Sequence, residues 1–190
     1  MRVSREQVTE NRRTILQAAS RLFRERGFDA VTVGEVMRAS GLTHGAFYGY
    51  FRNKEELIAE ALGEAMSGTA APSGDLADYA ARYLSPDHRD DRAHGCPVAA
   101  LAAETVRQAG GARAEMTAGL KRQIDRLSRV APGEDDRRKR QTAIGSWAAM
   151  VGAMILARVS DDPALSDEVL DQTRAWLAGQ GKDHGPRKRT

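Results

Sequence analysis

The sequence is poor in cysteine and in the patterns that mark β-strands. Its 190 residues include one cysteine, which excludes an intrachain disulfide and is typical of a protein in a reducing compartment. No useful length of sequence alternates Val, Ile or Thr with polar residues. These absences indicate an all-α protein without disulfides.

Long apolar runs are also missing. A bilayer is crossed by about 20 consecutive apolar residues, and the most apolar segment, 143–157, is shorter and rich in Gly and Ala. The first residues, MRVSREQVTENRR, carry charges but no apolar stretch of the kind found in secretory signals. We therefore expect a cytoplasmic protein without a membrane partner.

Motifs of catalysis are missing as well. The sequence has no paired-carboxylate motif, nucleophile elbow, phosphate-binding loop or paired-histidine motif. His88, His94 and Cys96 have the right side chains for a metal, but no fourth ligand follows at a clear spacing. We expect no enzymatic activity, no metal site and no cofactor.

Positive charge is concentrated at the front of the chain. Residues 1–54 contain ten Arg or Lys and five Asp or Glu, whereas the remaining residues are net negative. The tail Arg187-Lys188-Arg189 adds a second basic segment. Such a distribution either forms a solvated surface or binds a polyanion such as nucleic acid.

Helical periodicity begins near the N-terminus. One apolar face is formed, at helical spacing, by Ile15, Ala18, Ala19, Leu22 and Phe23. Thr32 and Glu35 have the spacing of a capping box, and Thr43 and Asn53 occupy the positions of further N-caps. We expect four helices in residues 8–66, of which the second and third are short and joined by a glycine-containing turn.

This layout is that of a helix-turn-helix, which places its second helix in the major groove of DNA. The second helix opens with His44, Gly45 and Ala46, of which Gly45 permits close approach to the bases, Ala46 offers a methyl group and His44 can form a hydrogen bond at a base edge. Thr43 would leave backbone amides at its start for a phosphate. Tyr48 lies one α-helical turn after His44 on the outward face, whereas Phe47 and Phe51 lie on the core face. Tyr50 and Lys54 are placed to contact phosphates. The alternatives are that Tyr48 and Tyr50 are half-buried packing residues and that Lys54 is an ordinary surface residue.

A set of residues between positions 13 and 57 forms a specific pattern: Ile15, Ala18, Leu22-Phe23, Gly27-Phe28, Thr32-Val33, Ala39-Ser40-Gly41-Leu42, Phe47-Tyr48, Tyr50-Phe51 and Asn53-Lys54-Glu55-Glu56-Leu57. This quarter of the chain closely resembles the DNA-binding domain of the TetR/AcrR family of bacterial repressors. The resemblance implies that His44, Gly45, Ala46 and Tyr48 face bases or the DNA backbone, and that Thr32, Tyr50 and Lys54 bind phosphates. Some members read a base with a basic residue at the position of Gly34. Glycine has no side chain, and this sequence departs from the family pattern at that contact.

The resemblance also implies a helical ligand-binding and dimerisation domain in the second half. We expect a helix-turn-helix DNA-binding domain at 8–54, this second domain at 55–180, and a basic, disordered tail at 181–190. About nine helices are expected in all, the last five at 74–84, 97–109, 112–130, 134–158 and 163–179. The segments 67–74 and 85–95 are predicted to be loops.

Two stripes in the second half are candidates for a homodimer interface. The first consists of small residues on one side of a helix, Gly145, Ala149, Gly152 and Ala153, and the second of Leu165, Val169, Thr173 and Trp176. In the family, the last two long helices of each subunit form a four-helix dimer bundle. The alternative is that both stripes pack within one chain.

Candidates for an apolar effector pocket are Cys96, Met116, Leu120, Trp147, Met150 and Met154. Methionine suits a permissive pocket, but such a set can equally be ordinary core. Cys96 precedes Pro97 at the start of a helix. It is either a small buried residue or, beside Arg92 and His94, a thiol that senses oxidants or electrophiles.

The sequence therefore predicts a homodimeric, ligand-responsive repressor. It would bind a palindromic double-stranded DNA operator and be released by a small apolar or reactive effector. The alternative is a DNA-binding activator or architectural protein that takes no small-molecule ligand.

Overall fold

The computed structural model of the chain describes residues 4–68 and 74–180. Within these ranges the regular structure consists of nine α-helices and one 3₁₀ helix, with no strand. The expected all-α class is confirmed. The expected tail at 181–190 and most of the expected loop at 67–74 lie outside the described residues.

The elements follow one another along the chain as α1 (Arg5–Arg26), α2 (Val33–Ala39), the 3₁₀ helix (His44–Gly49), α3 (Lys54–Ser67), α4 (Leu76–Tyr83), α5 (Pro86–Asp90), α6 (Pro97–Thr105), α7 (Gly110–Val130), α8 (Asp136–Val159) and α9 (Pro163–Gln180). The four helices expected at the front of the chain are all present. So are the five expected later, with ends shifted by a few residues.

The helix α5 lies where the sequence predicted a loop, and that prediction was wrong. Ser85 caps its start by accepting a hydrogen bond from the His88 amide, and Pro86 occupies its first turn. At its other end Arg158 of α8 donates to the carbonyls of His88 and Arg89, at 2.8 and 3.0 Å. A distant arginine thus satisfies carbonyls that a short polar helix leaves open.

The chain divides into two compact units. The first contains residues 4–68 and 92–120, and the second contains residues 74–91 and 121–180. The helix α6 and the first half of α7 therefore belong to the same unit as α1 to α3. The functional division predicted at residue 54 falls inside this first unit, at the start of α3.

The first unit is built around α1. Ile15, Ala19 and Phe23 of this helix are buried, and the Phe23 ring meets Phe28 edge-on with centroids 5.3 Å apart. Other buried residues come from the following elements: Val31, Val36, Met37, Phe47, Phe51, Leu57 and Leu62. Isolated helices shorter than about 12–15 residues are marginal in water. The seven-residue α2 and the six-residue 3₁₀ helix therefore depend on this core.

The second unit is built around α8 and α9. Its core contains Trp147, Met150 and Met154 of α8 together with Leu170 and Leu177 of α9. The start of α9 is fastened to the end of α8, because the Ser166 hydroxyl donates to the Ala157 carbonyl at 2.7 Å. Buried polar groups of this kind are expected to have such partners.

By length and composition α8 could also cross a membrane. Its most apolar 18-residue window has a mean hydropathy of 1.5, and 39% of that window is buried inside the protein. The sequence expectation considered only unbroken apolar runs, whereas this average comes from Ile, Val, Leu, Met and Ala residues that are interrupted by polar ones and by Gly. A core helix meets the same criterion, so the finding is weak evidence for a membrane span.

Candidate nucleic-acid interface

The turn between α2 and the 3₁₀ helix is closed by backbone hydrogen bonds. The Leu42 amide donates to the Met37 carbonyl at 2.9 Å, and the Gly41 amide donates to the Arg38 carbonyl at 3.0 Å. This pair of bonds is a Schellman motif, which needs a left-handed residue after the helix. Gly41 supplies it with a φ of 76°. The glycine thus sets the angle at which the second helix leaves the first.

The start of α2 carries the predicted capping box. Thr32 Oγ1 accepts from the Glu35 amide at 3.2 Å, and Glu35 Oε2 accepts from the Thr32 amide at 2.8 Å. Arg26 forms an ion pair with the same carboxylate at 2.9 Å. Hydrogen bonds from the Thr32 amide and hydroxyl, and then from Arg26, lower the pKa of Glu35 to about 2. The carboxylate is therefore ionised at neutral pH and holds α2 in place.

The second helix of the motif is a 3₁₀ helix rather than the expected α-helix. Its bonds span three residues, as from the Ala46 amide to the Thr43 carbonyl at 3.1 Å. Because a 3₁₀ helix has three residues per turn, Gly45 rather than His44 aligns with Tyr48. His44 and Tyr48 therefore differ in register along the helix from an α-helical turn, although both are exposed, as expected of the outward face.

The outward side of the 3₁₀ helix is open nonetheless. Thr43, His44 and Gly45 are exposed, Ala46 is half-buried, and the Tyr48 side chain is 73% exposed. Thr43 makes no side-chain capping bond. The first amides of this helix therefore lack the side-chain partner that Thr32 provides to α2, and can donate to a phosphate.

The underside of the 3₁₀ helix is anchored by aromatic rings, as predicted. Phe47 and Phe51 are buried, and their rings stack with centroids 5.6 Å apart. The Arg12 guanidinium lies 4.3 Å above the Phe51 ring. It also donates to the Tyr50 carbonyl and, at 2.6 Å, to Glu60 of α3. Arg12 thus joins three elements beneath the candidate interface, and the sequence reasoning missed it.

All three predicted phosphate contacts have intramolecular partners, since the Thr32 hydroxyl bonds to Glu35 and the other two side chains, Tyr50 and Lys54, also form hydrogen bonds. Asn11 Nδ2 donates to the Tyr50 hydroxyl at 2.8 Å, and Lys54 Nζ donates to the Phe28 carbonyl at 2.6 Å. Both side chains are half-buried. The ammonium group has three donors and the hydroxyl keeps its own proton, so each retains a donor for a phosphate oxygen.

The loop between α1 and α2 is held by α6. Glu104 of α6 accepts from the Phe28 amide at 2.7 Å. Gly27 has a φ of 83°, and a Cβ there would lie 2.5 Å from Glu104 Oε1. Arg24 donates to the Gly95 carbonyl at 3.0 Å. The segment around α6 therefore holds the end of α1 and the loop that connects it to α2.

Gly34, where the family pattern allows a basic residue, lies beside the 3₁₀ helix. A Cβ at this position would approach His44 Nδ1 to 3.2 Å. That distance is tighter than ordinary contact, so a side chain at position 34 would displace the imidazole. Glycine here gives room to the exposed His44.

The predicted effector residues are divided between the two units. Cys96, Met116 and Leu120 belong to the first unit, and Trp147, Met150 and Met154 belong to the second. All are buried except Leu120, which is half-buried. Cys96 is the residue before the first turn of α6, as predicted. In the part of the chain that the structure describes, no three His, Cys, Asp or Glu residues cluster as a metal site.

The predicted dimer residues differ in exposure. Gly145, Leu165 and Trp176 are exposed, and Ala149, Gly152, Val169 and Thr173 are partly exposed. Ala153 is buried within its own chain and offers no surface to a second copy. The exposed apolar residues of α8 that the sequence reasoning omitted are Ile144, Ile155, Leu156 and Val159.

Comparison with known proteins places these features in a family. The family model described as bacterial regulatory proteins, tetR family, matches residues 15–61. An uncharacterized HTH-type transcriptional regulator of Mycobacterium tuberculosis is 31% identical over 188 residues, covering 89% of this chain and 95% of the relative. An HTH-type transcriptional repressor of the same species is 33% identical over 92 residues, covering 47% and 49% of the two chains.

Solved structures give the same fold. The crystal structure of the reduced form of E. coli NemR matches with a TM-score of 0.71 and 21% identity, over 90% of this chain and 96% of that one. The full-length similarity to the mycobacterial regulator, the tetR-family match over the helix-turn-helix and the shared fold agree with one another. The chain belongs to the TetR/AcrR family of transcriptional regulators.

Proposed function

We propose that this regulator is a homodimeric repressor that binds a palindromic DNA operator and leaves it when a small effector binds. The observation that carries the proposal is the exposed start of the 3₁₀ helix. Small residues and Tyr48 face outward there, while Phe47 and Phe51 fix the helix from below. A helix whose exposed start carries small side chains, and whose other side is anchored in the core, fits the major groove.

The charge of the first 54 residues supports DNA as the partner. This segment contains ten basic and five acidic residues. Exposed Arg38 forms no ion pair among the described residues. Phosphate contacts release counterions, so operator affinity should fall steeply as salt rises.

A homodimer is supported by the apolar residues left exposed on α8 and α9. Val159 is 77% exposed and Trp176 is 54% exposed. Two copies would present two 3₁₀ helices to successive major grooves, whose centres lie about 34–36 Å apart. An effector that favours a different separation would lower operator affinity by shifting the population of conformations.

An effector site in the second unit is supported by Trp147. Its side chain is 7% exposed, and its indole N–H has no hydrogen-bond partner among the described residues. A buried donor without a partner is costly. An apolar effector with a carbonyl or ether oxygen would satisfy it, beside the adaptable side chains of Met150 and Met154 on the same helix.

The DNA-binding part is tested with Tyr48→Ala, because this side chain is exposed and its loss leaves the core intact. We expect operator affinity, measured by fluorescence anisotropy, to fall at least tenfold, about 1.4 kcal/mol. The matched control is Val106→Ala, an exposed apolar residue at the end of α6. Equal affinity of the Tyr48 variant and the parent would overturn the assigned face.

The effector part is tested by adding apolar compounds that carry an acceptor oxygen to the operator complex. We expect release from the parent chain and weaker release from Trp147→Phe, with operator affinity unchanged. A complex that no such compound dissociates would instead favour an activator or an architectural protein.

Reactive effectors are tested separately with an oxidant and an alkylating agent. Cys96 is buried, so we expect Cys96→Ser and the parent to respond alike. Loss of the response in Cys96→Ser alone would show that the thiol is the sensor.

A further inference from the structure

Two neighbouring residues of α1 hold Tyr50 at both of its ends. Asn11 Nδ2 donates to the Tyr50 hydroxyl at 2.8 Å, and Arg12 donates to the Tyr50 carbonyl. The Arg12 guanidinium is itself fixed, because it bonds to Glu60 at 2.6 Å and lies 4.3 Å above the Phe51 ring. The backbone of Tyr50 and the far end of its side chain are therefore both fixed to α1.

The bond from Asn11 is one step of a hydrogen-bond chain along α1. Gln7 lies one helical turn before Asn11, and its Nε2 donates to Asn11 Oδ1 at 2.9 Å. Asn11 in turn donates to Tyr50, so the two bonds run in the same direction, towards the tyrosine. Gln7 is exposed, whereas Asn11 and Tyr50 are half-buried. The chain thus leads from the solvent at the start of α1 to the phenol oxygen.

The direction of this chain decides what the Tyr50 hydroxyl can do. An amide NH₂ group only donates, so the hydroxyl oxygen accepts from Asn11 and its own proton is left for another acceptor. With the Asn11 amide flipped, the Asn11 oxygen would face the hydroxyl and take that proton. The flipped amide would also place its NH₂ group against the NH₂ group of Gln7, which is unfavourable because neither group can accept.

We propose that Asn11 is a positioning residue for DNA binding, which holds the Tyr50 hydroxyl with its proton free for a phosphate oxygen. A phosphodiester oxygen carries no proton, so a contact with Tyr50 requires the hydroxyl as the donor. The inference rests on the DNA-binding role in the proposed function, and it adds a residue that acts through Tyr50 rather than by touching DNA.

Asn11 and Tyr50 are expected to contribute unequally to the affinity for DNA. Tyr50 makes the contact itself, and a hydrogen bond to a charged group is stronger than one between neutral groups. Asn11 contributes by ordering the hydroxyl before DNA arrives, which reduces the entropy lost on binding. Loss of the Tyr50 donor should therefore weaken binding more than loss of the Asn11 amide.

The test measures the affinity of the full-length protein for a DNA duplex that the parent selects from a random-sequence library. Tyr50→Phe removes the donor and should weaken binding about tenfold. Asn11→Leu has nearly the shape of the parent residue but cannot donate, and it should weaken binding about fivefold. Asn11→Asp reverses the bond, because its carboxylate accepts the hydroxyl proton, and it should weaken binding about tenfold.

The decisive measurement is a double-mutant cycle between the two residues. In the Tyr50→Phe protein, Asn11→Leu should change the affinity by less than about twofold, because no proton remains to be directed. The charge of Asn11→Asp persists in that background, so the part of its effect that disappears belongs to the hydroxyl. The matched control is Gln17→Leu, an exposed residue of α1 outside the hydrogen-bond chain. Thermal unfolding of each protein without DNA measures any purely structural role separately.

Coupling between Asn11 and Tyr50 in the affinity for DNA supports the proposal. Equal losses from Asn11→Leu in the parent and in Tyr50→Phe overturn it, and so does a Tyr50→Phe protein that binds as tightly as the parent. In both of these cases the parent still binds the selected duplex, so failure of the positioning role is distinguished from failure of the proposed function. A parent that selects no duplex overturns both.

Discussion

The two helices of the helix-turn-helix differ in the hydrogen-bond partners of the backbone amides at their first turns. At α2, Thr32 and Glu35 bond to each other's amides and Arg26 neutralises the carboxylate. At the 3₁₀ helix, Thr43 makes no side-chain capping bond. The first helix therefore has side-chain partners for the amides of Thr32 and Glu35, whereas the start of the second has no side-chain cap and is available to a partner.

The comparison separates residues that support the motif from residues that can contact DNA. A self-capped helix is stable without a ligand, but its capping groups are already occupied. An uncapped, exposed helix start is less stable alone and is suited to bind an anion. In this chain the aromatic anchor of Phe47 and Phe51 offsets the missing cap.

The largest expected effect separates the two sides of the 3₁₀ helix. Phe47→Ala removes a fully buried ring and should lower the free energy of unfolding by about 3–5 kcal/mol. Its neighbour Tyr48→Ala removes an exposed ring and should change stability by less than about 0.5 kcal/mol. Thermal unfolding of both variants measures this difference, and similar losses would show that Tyr48 is a core residue.

The next effect compares two glycines whose Cβ positions both lie in open space. Gly41→Ala forces a φ of 76° on an L-residue and should cost about 1–2 kcal/mol of stability. Gly45→Ala has no such strain and should keep or raise stability, yet it should weaken operator binding by filling the approach to the bases. Denaturant unfolding and anisotropy separate these outcomes. An operator affinity that Gly45→Ala leaves unchanged would place that glycine away from DNA.

A smaller effect compares the two threonines. Thr32→Ala removes a cap and should cost about 1 kcal/mol, or about 2–4 °C in Tm for a chain of this size. Thr43→Ala removes no capping bond and should leave Tm unchanged. Calorimetry on the two variants checks the contrast, which would be lost if both melted early.

The smallest expected effect is the pH dependence of the stability that the capping box contributes. Because the pKa of Glu35 is lowered from 4.5 to about 2 in the folded chain, its contribution is complete above pH 4.5. It is lost as pH falls through that interval towards 2, since the unfolded chain takes up the proton first. Glu35→Gln should show a shallower loss of stability over this range than the parent. Parallel acid-unfolding curves would mean that Glu35 does not contribute.

Much of the fold and part of the site could be predicted from the sequence. The capping box at Thr32, the helix break at Ser40-Gly41 and the buried pair of Phe47 and Phe51 were all expected, and the structure has each of them. These features depend on residues three to five positions apart, so a local pattern reveals them. The identity of the DNA contacts at Tyr48, Tyr50 and Lys54 remains a prediction.

Other features were beyond local patterns. The pitch of the helix at His44–Gly49 was taken as α-helical, whereas the structure has a 3₁₀ helix there. Arg12 and Glu104 were missed because their partners lie 38 and 76 residues away. The helix α5 was missed because its end depends on Arg158, about 70 residues further on.

The sequence by itself determined the helical class, the caps and breaks of the first helices, and the family to which the chain belongs. These follow from periodicity and from bonds between near neighbours, which short segments specify on their own. Only the tertiary structure decided which side of the 3₁₀ helix is open, which groups hold the α1–α2 loop, and which residues of α8 stay exposed. Those outcomes depend on burial and on contacts between distant segments, and these exist only when the whole chain is packed.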